Sequence, residues 1–266
     1  MKRILTLIFV VGTVGCTLSD GDFFAVVDAR IEGEIDVGDR ETDGEWIKLA
    51  SSYELRIDSL TLDTGDVLLS SAQAASSFDP ANPPEGYSLC HNGHCHGPDG
   101  SLVDYEDISA MLGSAGAVDV LALHLESLDY EAAFERALEC EPECGLRTAQ
   151  TITGMRIPVL GVTGTGAVRD GRVDPRIDGE QPWAIDLVLE PGDLSLTTAL
   201  TVPLGRGEGE VVELDIRLPF APKVFDAVAW ADSPVADGGL DLSDTSNHES
   251  LVLGLQELPL STSVTR

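Results

Sequence analysis

The chain has 266 residues, 43% of them hydrophobic but only 5% aromatic, which supplies a core built from Val, Leu, Ile and Ala rather than from large rings. Its formal net charge of −30 becomes about −32 if Lys2 and Arg3 are removed, leaving Lys48 and Lys223 as the only lysines. Such a surface repels nucleic acid and anionic lipid headgroups, so neither is expected as a partner; it suits cations, cationic partners or a salty medium.

The first sixteen residues read as an export signal. Lys2 and Arg3 precede the apolar run Ile4 to Val11, which is too short to span a bilayer as a helix, and small residues lead to Cys16. Thr13-Val14-Gly15-Cys16 resembles the lipobox of bacterial lipoproteins, in which the cysteine is lipidated and becomes the mature first residue. Thr13 departs from the aliphatic residue that the family favours. The resemblance implies lipidation of Cys16, a membrane partner through the lipid anchor and, since Thr17 replaces the aspartate that favours inner-membrane retention, a place in the outer membrane of a bacterial envelope. The alternative is ordinary signal cleavage, with Cys16 left as a spare thiol.

Residues 17–44 form an acidic tether with a candidate first strand around Phe23 to Val27. Strict alternation from Tyr53 to Leu62, a turn at Asp63 to Asp66 and the run Val67 to Leu69 predict a hairpin. Residues 71–101 are rich in Pro and Gly. Asp104 is a candidate cap for a short helix ending at Leu112, and Asp129 caps a second over Tyr130 to Leu138, stopped by Pro142. β character returns in 155–162, 183–189, 194–202, 211–218 and 224–230. The chain is therefore expected to be mainly β: an antiparallel β-sandwich over residues 45–266, with a Cys/His-rich, partly helical insertion at 71–150.

Apart from Cys16 there are four cysteines, Cys90, Cys95, Cys140 and Cys144, and an even number in an exported chain favours disulfides. Three connectivities are open. The two-by-two grouping suggests that the 90/95 segment is stapled to the 140/144 segment, closing a loop of about fifty residues for roughly 3–5 kcal/mol.

The heptapeptide Cys90-His91-Asn92-Gly93-His94-Cys95-His96 holds three of the five histidines. On one reading it is purely structural, a disulfide-anchored loop decorated with imidazoles. On another, His91, His94 and His96 hold a copper or zinc ion, helped by His124, Asp99 or Asp104; oxidised cysteines would be unable to serve as thiolate ligands. In an extended segment His94 and His96 share a side and His91 does not, so a turn at Asn92-Gly93 is required. A third reading follows from a resemblance: Cys90, four residues, Cys95 and His96 is similar to the longer-spaced c-type haem attachment motif of some multihaem cytochromes, which implies thioethers at the two cysteines and His96 as axial ligand.

Other motifs are absent or bland. Gly161-Val162-Thr163-Gly164-Thr165-Gly166 fits neither a phosphate loop nor a dinucleotide fingerprint and reads as a turn between strands. Asp174, Asp178 and Glu180 read as a solvated acidic loop, His124 as half-buried, His248 as surface, and the tryptophans as core or sheet-surface residues. No nucleophile, base and orienting group can be recognised together, so the chain is not expected to be an enzyme. The expected function is an exported, lipid-anchored metal-binding protein for copper or zinc acquisition, delivery or sensing. A non-metal envelope protein for adhesion, or for binding a protein or glycan partner, is the alternative.

Overall fold

The structure, a computed structural model, describes residues 25–72, 83, 86–91, 94–97, 100–104, 117–140, 144–146, 150–204 and 210–266. In chain order its strands are β1 (Ala25–Gly33), β2 (Thr42–Asp43), β3 (Trp46–Lys48), β4 (Tyr53–Thr64), β5 (Val67–Ala72), β6 (Ser88–His91), β7 (His94–His96), β8 (Leu102–Asp104), β9 (Ala117–Leu123) and β10 (Leu128–Asp129). There follow β11 (Phe134–Leu138), β12 (Gly145–Leu146), β13 (Gln150–Asp170), β14 (Glu180–Val188), β15 (Ser195–Leu204), β16 (Glu210–Arg217), β17 (Val235–Ala236), β18 (Gly239–Asp241), helix α1 (Thr245–Gln256) and β19 (Ser261–Thr265). No helix among the described residues is long and apolar enough to cross a membrane.

The chain is mainly β, as its alternating hydrophobicity predicts. In β1, Ala25, Val27, Ala29, Ile31 and Gly33 point inward while the residues between them face solvent, the signature of a strand with one wet face. The first strand thus runs on through Gly33; residues 1–24, including the signal and Cys16, lie outside the described residues.

The long strand β13 organises the larger sheet. Its residues 159–170 pair antiparallel with β4 on one side, and 161–169 with β14 on the other; its residues 150–158 pair with β5 and β15. Pro158, which has no N–H to give to a ladder, stands at the changeover. β4 and β5 therefore lie end to end along one edge of β13. They do not form the expected hairpin with each other, because Gly65 at the intervening irregularity donates its N–H to the Pro158 carbonyl at 2.9 Å and the chain runs straight on.

The smaller sheet has the order β11-β1-β16-β19, with β12 also on β1 and one parallel pair, β1 with β16. Val27, Val212, Leu214 and Val264 from this sheet meet Leu69, Ile152, Leu200 and Val202 from the larger one around an apolar void of about 10 Å³. That facing pair of apolar surfaces, closed down to less than the space of one water, is the sandwich interior. Beyond it, Trp183, Trp230, Phe225 and Tyr53 form a second, aromatic part of the same core, which α1 covers with Leu251 and Leu255. Trp46 stays at the sheet surface, flanked by the guanidinium groups of Arg56 and Arg169 at 5.3 and 4.4 Å from its ring.

Several local expectations are corrected. Residues 130–138 are not helical: Asp129 accepts from Glu131 N, as in a turn, and Phe134–Leu138 adds to β1 as an edge strand. Good helix formers yield here to ladder hydrogen bonds that only a distant strand supplies. Residues 224–230 form no strand; Pro222 opens a 3-10 turn, Pro222–Phe225, and Asp244 caps the unforeseen α1 by accepting from Ser246 N at 2.9 Å. Asp104 ends β8, and the remainder of the helix expected to follow it, 105–112, lies outside the described residues. Strands β9 to β12, all within the expected insertion, join the two sheets through β5, β4 and β1.

Tyr130 locks that returning segment in place. Its ring packs on Phe134 and Phe220, its N–H reaches the Leu60 carbonyl, and its buried hydroxyl donates to the Leu218 carbonyl at 2.8 Å. Burial pushes the phenol's pKa up, so it remains the donor. Tyr130→Phe is expected to cost about 1–2 kcal/mol, because it strands a buried carbonyl, and a urea midpoint shift at unchanged slope would measure it.

Candidate metal centre

β6, β7 and β8 form a separate three-stranded antiparallel sheet. The chain reverses between His91 and His94, which are direct cross-strand partners. Residues opposite one another in an antiparallel pair share a face, and so do residues two apart on one strand. His91, His94 and His96 therefore stand on one face; Asn92-Gly93, where the turn is expected, lies outside the described residues.

Their ring centroids are 4.7 Å (91 to 94), 5.8 Å (91 to 96) and 6.3 Å (94 to 96) apart. One nitrogen from each lies within 4.8 Å of the others. Donors around a tetrahedral ion with bonds of 2.0–2.1 Å sit about 3.3 Å apart, so closing by about 1.5 Å completes a three-nitrogen set. His91 is exposed, and His94 and His96 are half-buried, which leaves the solvent side open for a fourth ligand.

The cysteines occupy the other face. Cys90 and Cys95 alternate with the histidines and are bonded to each other, with Cα atoms 4.0 Å apart; Cys95 is fully buried. Cys140 and Cys144 form the second bridge, and the expected staple between the two segments is not made. Each cysteine is bonded to its near neighbour in sequence, five and four residues away, and the Cys144 carbonyl is held by Val27 N at 2.8 Å. With both pairs oxidised, the thiols serve neither as zinc thiolates nor as haem thioethers.

Of the auxiliary ligands considered, Asp104 stands opposite His94 in the β7–β8 register, while Asp99 lies outside the described residues. His124 is exposed rather than half-buried; its Nδ1 sits 3.1 Å from Asp66 Oδ1, and it is not in the three-histidine group. His248 is exposed as expected.

Sequence reasoning missed a β-bulge below the site. Two residues, Leu89 and Cys90, oppose the single Cys95, and Leu89 takes φ 43°, a conformation that no leucine announces. It also missed Asp170, whose carboxylate organises the loop before β14. Asp174 and Asp178 of that loop are exposed, as expected of a solvated segment, whereas Glu180 opens β14 and its carboxylate accepts from Arg56 Nη1 at 2.9 Å.

Comparison with family models, with curated protein sequences and with solved structures finds no match. What the fold and site define is a class by architecture alone: a β-sandwich carrying a disulfide-bridged hairpin with three convergent imidazoles.

Proposed function

We propose that this chain is an exported, lipid-anchored, non-enzymatic protein of the bacterial envelope that binds a transition metal, copper or zinc, for acquisition, delivery or sensing. His91, His94 and His96 are the ligands and Cys16 is the lipidated residue. The observation that carries the reading is the approach of three imidazole nitrogens to within 4.8 Å on one open face of a small sheet. Neutral imidazole suits copper(II) and zinc, and the net charge of −30 favours any cation. Two disulfides fit an oxidising compartment outside the cytoplasm.

Titration of copper(II) and zinc into the chain purified from an oxidising compartment tests it. The triple change His91→Ala, His94→Ala, His96→Ala is expected to weaken binding by on the order of a hundredfold or more, since loss of outer-shell partners alone costs 10–100-fold. Unchanged affinity in the triple variant would place any metal elsewhere.

A second reading, a non-metal envelope protein that recognises a protein or glycan partner, draws on a different feature. A groove of about 610 Å³ runs over the outer face of β4, β13 and β14 between Ser59, Thr163, Thr165, Asp186, Asp237 and Asp241. It predicts no metal by elemental analysis. An absorption spectrum without a Soret band would meanwhile remove the haem alternative.

A further inference from the structure

We propose that the Cys90–Cys95 disulfide is a redox gate on the three-histidine site. The inference rests on the metal-binding reading above and adds its regulation.

The bridge spans the two strands that carry the ligands. His91 sits next to Cys90 on β6, and His94 and His96 flank Cys95 on β7, so the sulfur link and the imidazole cluster are opposite faces of one hairpin. Among the described residues, its only ladder partner outside itself is β8. β6, β7 and β8 have four, three and three residues and make a sheet of their own, apart from both large sheets. Short hairpins are marginal in water, and the bulge at Leu89 and Cys90 weakens this ladder at the position of the bridge. The covalent link therefore keeps His91 beside His94.

Cys90, half-buried where Cys95 is fully buried, is the sulfur a reductant reaches. A dithiol attacks Cys90 Sγ as a thiolate, breaking the sulfur–sulfur bond and expelling Cys95 as a thiolate that takes up a proton. The second thiol of the reductant, deprotonated, then displaces Cys90 from the mixed disulfide, and Cys90 is protonated in turn. Two electrons and two protons pass to the chain, and the reductant leaves as a disulfide. The freed β6 separates from β7, His91 leaves the set, and a three-nitrogen site becomes a weaker two-nitrogen one. Linkage runs both ways: bound metal holds the strands together and disfavours reduction.

Zinc titrations of four forms of the full chain test the gate: wild type, Cys90→Ser with Cys95→Ser, Cys140→Ser with Cys144→Ser, and the triple histidine variant. Serine removes the bridge without leaving thiolates to bind zinc. Releasing a loop of this size is expected to weaken binding on the order of ten- to fortyfold in the first pair, with the second pair within about threefold of wild type. If the histidine variant loses binding while Cys90→Ser with Cys95→Ser stays within threefold of wild type, the gate is overturned and the metal site stands. Full binding in the histidine variant overturns the metal reading itself. Should the first pair not fold, Cys90→Ala with Cys95→Ala takes its place in the same titration: a roughly ten- to fortyfold weakening supports the gate, and binding within about threefold of wild type overturns it.

Discussion

Gly166→Ala is expected to destabilise the protein by about 3 kcal/mol or more, at the upper end of what overpacking costs. Gly166 lies inside β13, between Ile57 of β4 and Trp183 of β14. A Cβ there would fall 2.0 Å from the Arg56 carbonyl oxygen and 2.8 Å from two carbons of the Trp183 indole. The oxygen belongs to the backbone of a paired strand and cannot rotate away. The indole is equally fixed: Trp183 is buried and its Nε1 donates to that same carbonyl at 3.3 Å. Gly154, on the same strand, is the control, because a Cβ there meets its nearest atoms at 3.7 and 3.8 Å, ordinary contact distances. Gly154→Ala should stay within about 1 kcal/mol of wild type. Urea denaturation followed by near-ultraviolet circular dichroism compares the two, and equal losses would remove the close-approach argument.

Asp170→Asn should cost about 2–3 kcal/mol at neutral pH, and the cost should shrink in acid. The Asp170 side chain is shielded from solvent at the end of β13, and its oxygens accept from Arg172 N at 3.1 Å, Arg172 Nε at 2.7 Å and Arg176 N at 2.6 Å. Burial by itself would raise the carboxyl's pKa, but the hydrogen bonds from Arg176 and Arg172 and the Arg172 charge together hold it below the ordinary value of 3.8. A carboxylate with a depressed folded pKa contributes stability that is fully present above its unfolded value and is lost as pH falls through the folded one. Wild type and variant should therefore differ by a constant amount from pH 7 to about 5 and converge below about 4. Thermal or urea unfolding across that range measures it; a gap that persists at pH 2 would show that the charge is not what holds the loop. The same contacts set Arg172 over the Tyr53 ring at 4.4 Å, so the loop's order reaches the aromatic core.

Glycine and aspartate were both misjudged from sequence, and for related reasons. Gly161 to Gly166 read as a turn because glycine breaks strands more often than it fills them, yet here it admits a neighbour's backbone and an indole that are distant in the chain. Asp170 sits four residues before the acidic run that drew notice, and nothing in its type shows that its carboxylate is sealed by Arg172 and Arg176. Residues 130–138 carry Ala, Glu, Arg and Leu in helix-forming proportion, but β1 has an open edge that they satisfy.

The histidines were legible for the opposite reason. They lie within six residues, so one chain reversal between β6 and β7 suffices to gather them. The even number of cysteines was legible too, but their pairing was not. Spacing is equally compatible with bridges within the segments and between them, and the choice fell to which sulfur each local fold presents.

By itself, then, the amino-acid order determined what depends on near neighbours: the period-two alternation that makes β1, β4, β14 and β16 strands, the apolar supply for a core, and the imidazole cluster on one short hairpin. Only the tertiary structure decided what depends on partners far along the chain: the straight passage of β4 into β5 beside β13, the strand at 134–138, the sulfur pairing and the sealed carboxylate of Asp170. The physical reason is that side-chain alternation is a property of the local backbone, whereas a ladder, a close approach or a buried charge draws its free energy from groups that folding alone brings within reach.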